Sequence, residues 1–385
     1  MGSTPPPSPP TPPDPPADPN PLADRRKKQA PYVDAGRQAI VQMLERYAAI
    51  LWSEIVARAA DRQWPGAPFR LDPHILITSL ESLIPEQVSA SSASTRGGRR
   101  ITVLLPASQE GRKTEIERAA ARKRLLAARY SSWSSGASDE STTQGVIGLA
   151  AERVVHDSLR QASPTVGYRL LNPDRGSIGR LFGVSVPGAL DNAAMFVMPD
   201  EAARYLLAIE VTSLRQWIYP ANQKVYQLLH KAAILTEALP EIEVLPVLVC
   251  RRGHLTVFRM ARDLGFHVID TNGIQWLPRL STITDEAVKE IRAELGYDDL
   301  RFADGPNKYL HKQFSEVVPN VAKARSRRWR QVGSRFGDIY GSLRSRLSDN
   351  EVFAGHELNE LRARAKQEIH NLPVEDRGSR DAGGW

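Results

Sequence analysis

Apolar and polar positions are most ordered between Leu190 and Lys231. Two apolar runs, Asn192 to Met198 and Tyr205 to Val211, flank the polar cluster Pro199-Asp200-Glu201-Ala202. Runs of strand length around a Pro-containing turn predict an antiparallel hairpin. Folded about its midpoint, between Asp200 and Glu201, this hairpin sets Asp191 opposite Glu210. Opposed side chains in such a pair have Cβ atoms about 4.5–5.5 Å apart. Two carboxylates that close repel unless a cation lies between them, and a divalent metal ion is the usual solution. Beyond the hairpin a connector, Ser213 to Pro220, leads into a helix expected from Asn222 to Leu239, with Val225, Leu228, Leu229, Ala232 and Leu235 as its apolar stripe. Val244 to Cys250 is a nearly continuous apolar run of the kind found in buried parallel strands. Strand, helix and strand make a βαβ unit. Upstream, Gln144 to Leu159 predicts a helix carrying Glu152 among Ile147, Leu149, Val154 and Val155.

The pattern divides the rest of the chain. Residues 1–30 are Pro-rich and expected to be disordered, with polyproline II character. Their run Arg25-Arg26-Lys27-Lys28 reads as solvated charge. Residues 31–130 predict a helical N-terminal region. It comprises a helix from Val33 to about Arg62, a second over Leu71 to Ile84 capped by Asp72 and Pro73, a loop at 86–99, a strand at Ile101 to Leu105 and a basic helix from Glu110 to Tyr130. Residues 131–143 read as a Ser-rich linker. The α/β core then spans 144–300, with a helix Leu255 to Leu264 stopped by Gly265, an edge strand Phe266 to Ile269, and a helix Thr284 to Leu295 closed by Gly296. A basic helical region follows at 301–370, and 371–385 reads as a disordered tail.

Composition narrows the chemistry. Hydrophobic content of 41% and charged content of 25% are globular values, so a packed core is expected. No apolar stretch approaches the length of a membrane span and the N-terminus is not a signal peptide, so the cytosol is the expected compartment and no membrane partner is expected. The single cysteine, Cys250, falls in a predicted buried strand and forms no intramolecular disulfide. No histidine or cysteine pair has zinc-ligand spacing, and His156 and His230 read as structural or surface residues. Phosphate-loop and serine-hydrolase signatures are also missing. The excess of 51 Lys and Arg over 44 Asp and Glu hints at a polyanionic partner. Its densest stretch, residues 323–346, interleaves Arg325, Arg327, Arg328 and Arg330 with Trp329, Phe336 and Tyr340. Basic and aromatic residues together suit phosphate neutralisation with base stacking, so Arg325, Arg327, Arg328, Trp329 and Arg330 are candidate contacts. An amphipathic helix with aromatics packed on the core is the alternative.

The order Glu152, Asp191, then Glu210-Val211-Thr212, resembles the PD-(D/E)XK, or restriction-endonuclease-like, nuclease superfamily over roughly Gln144 to Pro278. The resemblance implies a mixed sheet flanked by helices, with helical N-terminal and C-terminal segments around it. It implies Asp191 and Glu210 as direct ligands of Mg²⁺ or Mn²⁺, the Val211 carbonyl as a further ligand, and Glu152 as an accessory one. The sequence departs from the pattern at Thr212, which stands where the superfamily has lysine, and Pro187 lies four residues before Asp191. A literal Pro199-Asp200 falls at the hairpin tip, roughly 30 Å of extended chain from Glu210, too far to share a metal ion. In the superfamily the lysine can move to the helix after the glutamate strand. There Lys224 and Lys231 share one face, with Lys224 the first candidate for the catalytic cation and Lys231 the second, or a nucleic-acid contact. The implied function is divalent-metal-dependent hydrolysis of phosphodiester bonds in DNA, with RNA as an alternative partner and a two-fold homodimer suited to double-strand cleavage. Two alternatives are a degenerate nuclease fold that binds nucleic acid or protein without cutting, and a helical interaction protein whose α/β domain is a scaffold.

Overall fold

The computed structural model describes residues 21–67, 69–94, 100–134, 145–172, 174, 176–198, 203–346 and 351–377. Most of the Pro-rich segment, most of the Ser-rich linker, the hairpin turn at 199–202 and the last eight residues of the predicted C-terminal tail lie outside the described residues.

The N-terminal region comprises α1 (Pro21–Tyr47), α2 (Trp52–Ile55, continued by a π-helical turn to Ala60), α3 (Pro73–Glu81), the antiparallel pair β1 (Val88–Ser94) and β2 (Arg100–Pro106), and α4 (Lys113–Ser134). Asp72 caps α3 as expected, accepting from the His74 N–H at 2.8 Å. Four expectations need correction. Helix α1 begins at Pro21, inside the segment expected to be disordered to residue 30 and ahead of the helix start expected at Val33. The single helix over Val33 to Arg62 is broken at Ala48, where φ is +59°, because Ile50 exchanges backbone hydrogen bonds with Leu104 of β2. The predicted loop at 86–99 contains strand β1. Its serines gave no strand signal, but it pairs along the apolar β2, and Ser92 and Thr102 hydrogen-bond across the pair at 2.6 Å. Helix α4 runs on to Ser134, past the predicted linker start, and its last turn buries Trp133.

The core is a mixed α/β unit. It runs α5 (Val146–Val166), β3 (Arg169–Leu170), β4 (Ile178–Leu181), β5 (Val184–Leu190), β6 (Asn192–Met198), β7 (Ala203–Thr212), α6 (Gln223–Ala238), β8 (Glu243–Cys250), α7 (Leu255–Leu264) and β9 (His267–Asp270). Five strands form one sheet in the order β3-β6-β7-β8-β9, antiparallel up to β7 and parallel from β7 to β9, while β4 and β5 form a separate antiparallel pair. Burial on both faces explains the unbroken apolar reading of β7 and β8. On one face α5 covers the sheet through Val154, Val155 and Leu159. On the other, α6 and α7 bring Val225, Leu229, Val257 and Met260 against it. Short strands β10 (Gln275–Leu277) and β11 (Leu300–Phe302) pair in parallel around α8 (Asp285–Leu295), which Thr284 caps.

Helices α9 (Lys308–Lys312), α10 (Val318–Gln331), α11 (Gly337–Arg346) and α12 (Glu351–Asn371) follow, and a 3₁₀ turn at Val374–Asp376 lies in the stretch expected to be disordered from residue 371, held there by Arg327 and Arg328. The aromatics of this basic stretch belong to the core: Trp329, Phe336 and Tyr340 are buried with the α6 and α7 side chains, and Trp329 Nε1 donates to Thr236 Oγ1 of α6 at 2.8 Å. Trp329 therefore presents no face for base stacking. Gly265 allows the close approach: at φ +92° it ends α7, and a Cβ there would stand 2.1 Å from the Trp329 backbone nitrogen. Trp329→Ala should destabilise the protein by about 3–5 kcal/mol, the usual cost of emptying a buried aromatic site. Urea unfolding measures this, and a change under about 1 kcal/mol would mark Trp329 as a surface residue instead.

Candidate active site

The hairpin register follows the sequence. Asn192 pairs with Ile209 and Met198 with Ala203, so one further step opposes Asp191 to Glu210. Asp191 sits at the bend between β5 and β6, and Glu210 lies near the end of the central strand β7. Asp191 Oδ2 accepts from the Val211 N–H at 2.7 Å, which fixes the carboxylate across the strands. Glu210 is almost fully buried, as is Thr212 two residues on.

The cation that reaches Glu210 comes from α6, and it is Lys231 rather than Lys224. Lys231 Nζ donates to Glu210 Oε1 and to the Ala189 carbonyl, and both charged side chains are about 5% exposed. Lys224 makes no such contact, although its charge still acts on both carboxylates. The two lysines share a face two turns apart, about 10 Å along the axis, so the helix start decides which one meets Glu210. The connector sets that start. Ile218 continues the pairing beyond the strand ends, with its N–H donating to Arg252 O and its carbonyl accepting from the His254 N–H. The N-terminal region pins the same segment: Trp217 Nε1 donates to Asp61 at 2.8 Å, and Tyr219 stacks on His254, which hydrogen-bonds Asp72 at 2.8 Å. The chain thus runs past the sheet before α6 begins, and the helix meets Glu210 two turns later than proximity in sequence suggests.

Burial and mutual repulsion shape the electrostatics. Glu210 is pushed up to about 7, first by burial and then by the Asp191 charge, while Lys231 and Lys224 pull it down. Asp191 is also raised by burial, against the Val211 hydrogen bond and the two lysines. One buried ammonium therefore faces two carboxylates. Asp191 Oδ1 and Glu210 Oε2 accept no hydrogen bond from a described residue. Hard oxygen donors of this kind suit Mg²⁺ or Mn²⁺, whose shell the Val211 carbonyl and water could complete.

Glu152, expected as an accessory ligand, does not close a three-carboxylate group with Asp191 and Glu210. Among the described residues no three His, Cys, Asp or Glu side chains group closely enough to hold a metal ion. Glu152 stays half-buried on α5, and its backbone carbonyl accepts from Asn192 Nδ2 at 3.4 Å. His156, on the same helix, has its ring nitrogen 3.0 Å from Asn192 Oδ1, and Asn172 Nδ2 donates to the same oxygen and to Asp191 O. This buried polar cluster holds the Asp191 bend, and single-residue patterning gave no sign of it. Elsewhere, three of the arginines expected as nucleic-acid contacts hydrogen-bond within the protein. Arg327 bonds Asp376, Arg328 donates to Asp376 O, and Arg330 holds Glu243 with the Pro240 and Ile242 carbonyls. Arg325 is half-buried beside Arg328 and Asp263, its basicity lowered by burial. None of the four joins the Asp191–Glu210 cluster.

Folded Glu210 keeps its proton to about pH 7, whereas unfolded it loses it near the ordinary value of 4.5. The native state therefore binds more protons between those values, and metal-free stability should fall as pH rises from about 4.5 to about 7. Glu210→Gln should flatten that decline in thermal melts and raise stability above pH 7; an unchanged slope would show that Glu210 does not titrate this way. No protein-family model matches the chain, no curated protein matches it, and no solved structure matches it.

Proposed function

We propose that the chain is a divalent-metal-dependent nuclease hydrolysing phosphodiester bonds in DNA, built on a restriction-endonuclease-like core. The observation carrying this reading is the set of side chains at one place: Asp191 and Glu210 opposed on a hairpin, and Lys231 delivered onto Glu210 from the following helix. The order α5, β5–β6, β7, α6, β8 supports it, since the PD-(D/E)XK resemblance calls for a leading helix, a hairpin and a crossover helix in that order. With Lys231 on Glu210, a cation reaches the pair of carboxylates without a lysine at position 212.

The fit to a metal ion rests on charge and donor type: two carboxylates against one ammonium, each carboxylate with an oxygen left over. Mg²⁺ or Mn²⁺ bound there would polarise a phosphoryl oxygen and acidify a water. The protein's own contribution is positional and electrostatic. Asp191 is held by the Val211 N–H, so it would present its remaining oxygen without reorganising. Lys231 uses two of its three donors on Glu210 and Ala189, leaving one for the attacking water or a phosphoryl oxygen. Gly188 lies above that ammonium, where a Cβ would stand 3.9 Å from Nζ, and its φ of +71° requires glycine.

Titration calorimetry with Mn²⁺ should show one binding site that Asp191→Ala abolishes. On supercoiled plasmid with Mg²⁺ or Mn²⁺, Lys231→Ala should lower the single-turnover rate by about 10²-fold or more while retaining Mn²⁺. Lys224→Ala should cost less than about tenfold, because it acts only through its field. Wild-type protein that binds DNA and Mn²⁺ yet never cuts would replace this reading with the binding-only alternative.

A further inference from the structure

We infer that α11 supplies the phosphate-binding cation of this site, Arg344, whose guanidinium lies beside Lys231 over Gly188; the inference rests on the phosphodiester reading above. A Cβ on Gly188 would stand 3.1 Å from Arg344 Nη2, 3.8 Å from Lys231 Cε and 3.9 Å from Lys231 Nζ. The two cationic groups thus converge on one point of the β5 backbone, three residues before Asp191. A side chain at that point would crowd both cationic groups, so glycine is what lets them approach the backbone there.

The two cations differ in what they have left to bind. Lys231 is buried and spends two donors on Glu210 and Ala189. Arg344 is half-buried, and no carboxylate among the described residues pairs with its guanidinium. In this it differs from Arg327, Arg330, Arg335 and Arg364, which pair with Asp376, Glu243, Glu368 and Asp338 respectively. A planar guanidinium with parallel donors grips two phosphate oxygens at once, which an ammonium cannot do.

The position of Arg344 is fixed rather than incidental. Gln223, in the first turn of α6, donates from Nε2 to Arg344 O at 2.9 Å. Phe336, Ile339, Tyr340 and Leu343 anchor α11 in the core that α6 shares, and Gly341 lets the helix close on His230, whose ring lies 3.3 Å from where its Cβ would be. One helix, α6, therefore carries the buried lysine and also seats the arginine. The site consequently includes a residue more than 130 positions downstream of Glu210, outside the stretch that resembles a nuclease.

Fluorescence anisotropy with a short labelled DNA duplex, metal chelated so that nothing is cut, tests this across a range of salt. Arg344→Ala should weaken binding by about tenfold and reduce the slope of log K against log salt by about 0.9, one phosphate contact. Arg344→Lys should restore the slope with only part of the affinity, and Arg335→Ala, which removes an outlying paired arginine, should change neither. If Arg344→Ala melts early, Arg344→Gln against Arg344→Lys gives the same comparison at similar length. Wild-type affinity and slope in Arg344→Ala or Arg344→Gln would overturn the inference even if the protein cuts DNA. A wild type that binds without cutting, with the slope change present, would keep Arg344 as a phosphate ligand and refute only hydrolysis. No binding of duplex by the wild type would overturn both.

Discussion

Two carboxylates and one ammonium share the buried space between the sheet and α6, and the placement of several elements follows from that imbalance. An unpaired charge so deep would cost several kcal/mol, so Glu210 in the centre of the sheet demands a partner from the layer above it. Lys231 answers it, and a lysine held to two acceptors fixes the rotation and the height of α6. The height in turn depends on the connector, which the N-terminal region clasps through Asp61 and Asp72. A helical region remote from the hairpin in sequence thereby bears on which lysine reaches the carboxylates. The remaining negative charge, spread over Asp191 and Glu210, is what makes the place suited to a cation.

Most of the excess basic charge is spent inside the molecule. Arg58 and Lys123 surround the buried Glu54, Arg251 holds Asp61, and Arg215 joins Asp299 to Gln275 while stacking on Tyr297. In the C-terminal region arginines tie α10 to the chain end and to the β8 strand start. A net charge of +7 is therefore no measure of a nucleic-acid surface here. What counts is where a cation lacks an internal anion, and that depends on three-dimensional neighbours rather than on density along the chain.

The sequence made some features legible and hid others for physical reasons. Strand period is two and hairpin pairing is symmetric about its turn, so the opposition of Asp191 and Glu210 follows from counting. Helix ends at Gly265, Gly296 and Asp72 were legible because capping is a local, short-range matter. The choice between Lys224 and Lys231 was not, because it depends on how far a ten-residue connector overshoots the sheet, which long-range contacts decide. Strand β1 was hidden for a similar reason: a run of serines has no strand preference of its own and takes it from β2. The β4–β5 pair, containing Pro187 and Gly188, was hidden because those residues usually mark turns. Trp329 was ambiguous because an aromatic beside arginines is written the same way whether it faces a base or a core.

Gly188 brings these points together. Pro187-Gly188 reads as punctuation in one dimension, yet in the fold it is a bare stretch of backbone on which Lys231 and Arg344 converge from two helices. Any side chain there would meet the Arg344 guanidinium at 3.1 Å, and the left-handed backbone would strain every residue but glycine. The carboxylates come from the sheet, the buried ammonium from α6 and the guanidinium from α11. Gly188 is the common neighbour of the two cations, so their approach to the carboxylates depends as much on an absent side chain as on the charged ones around it.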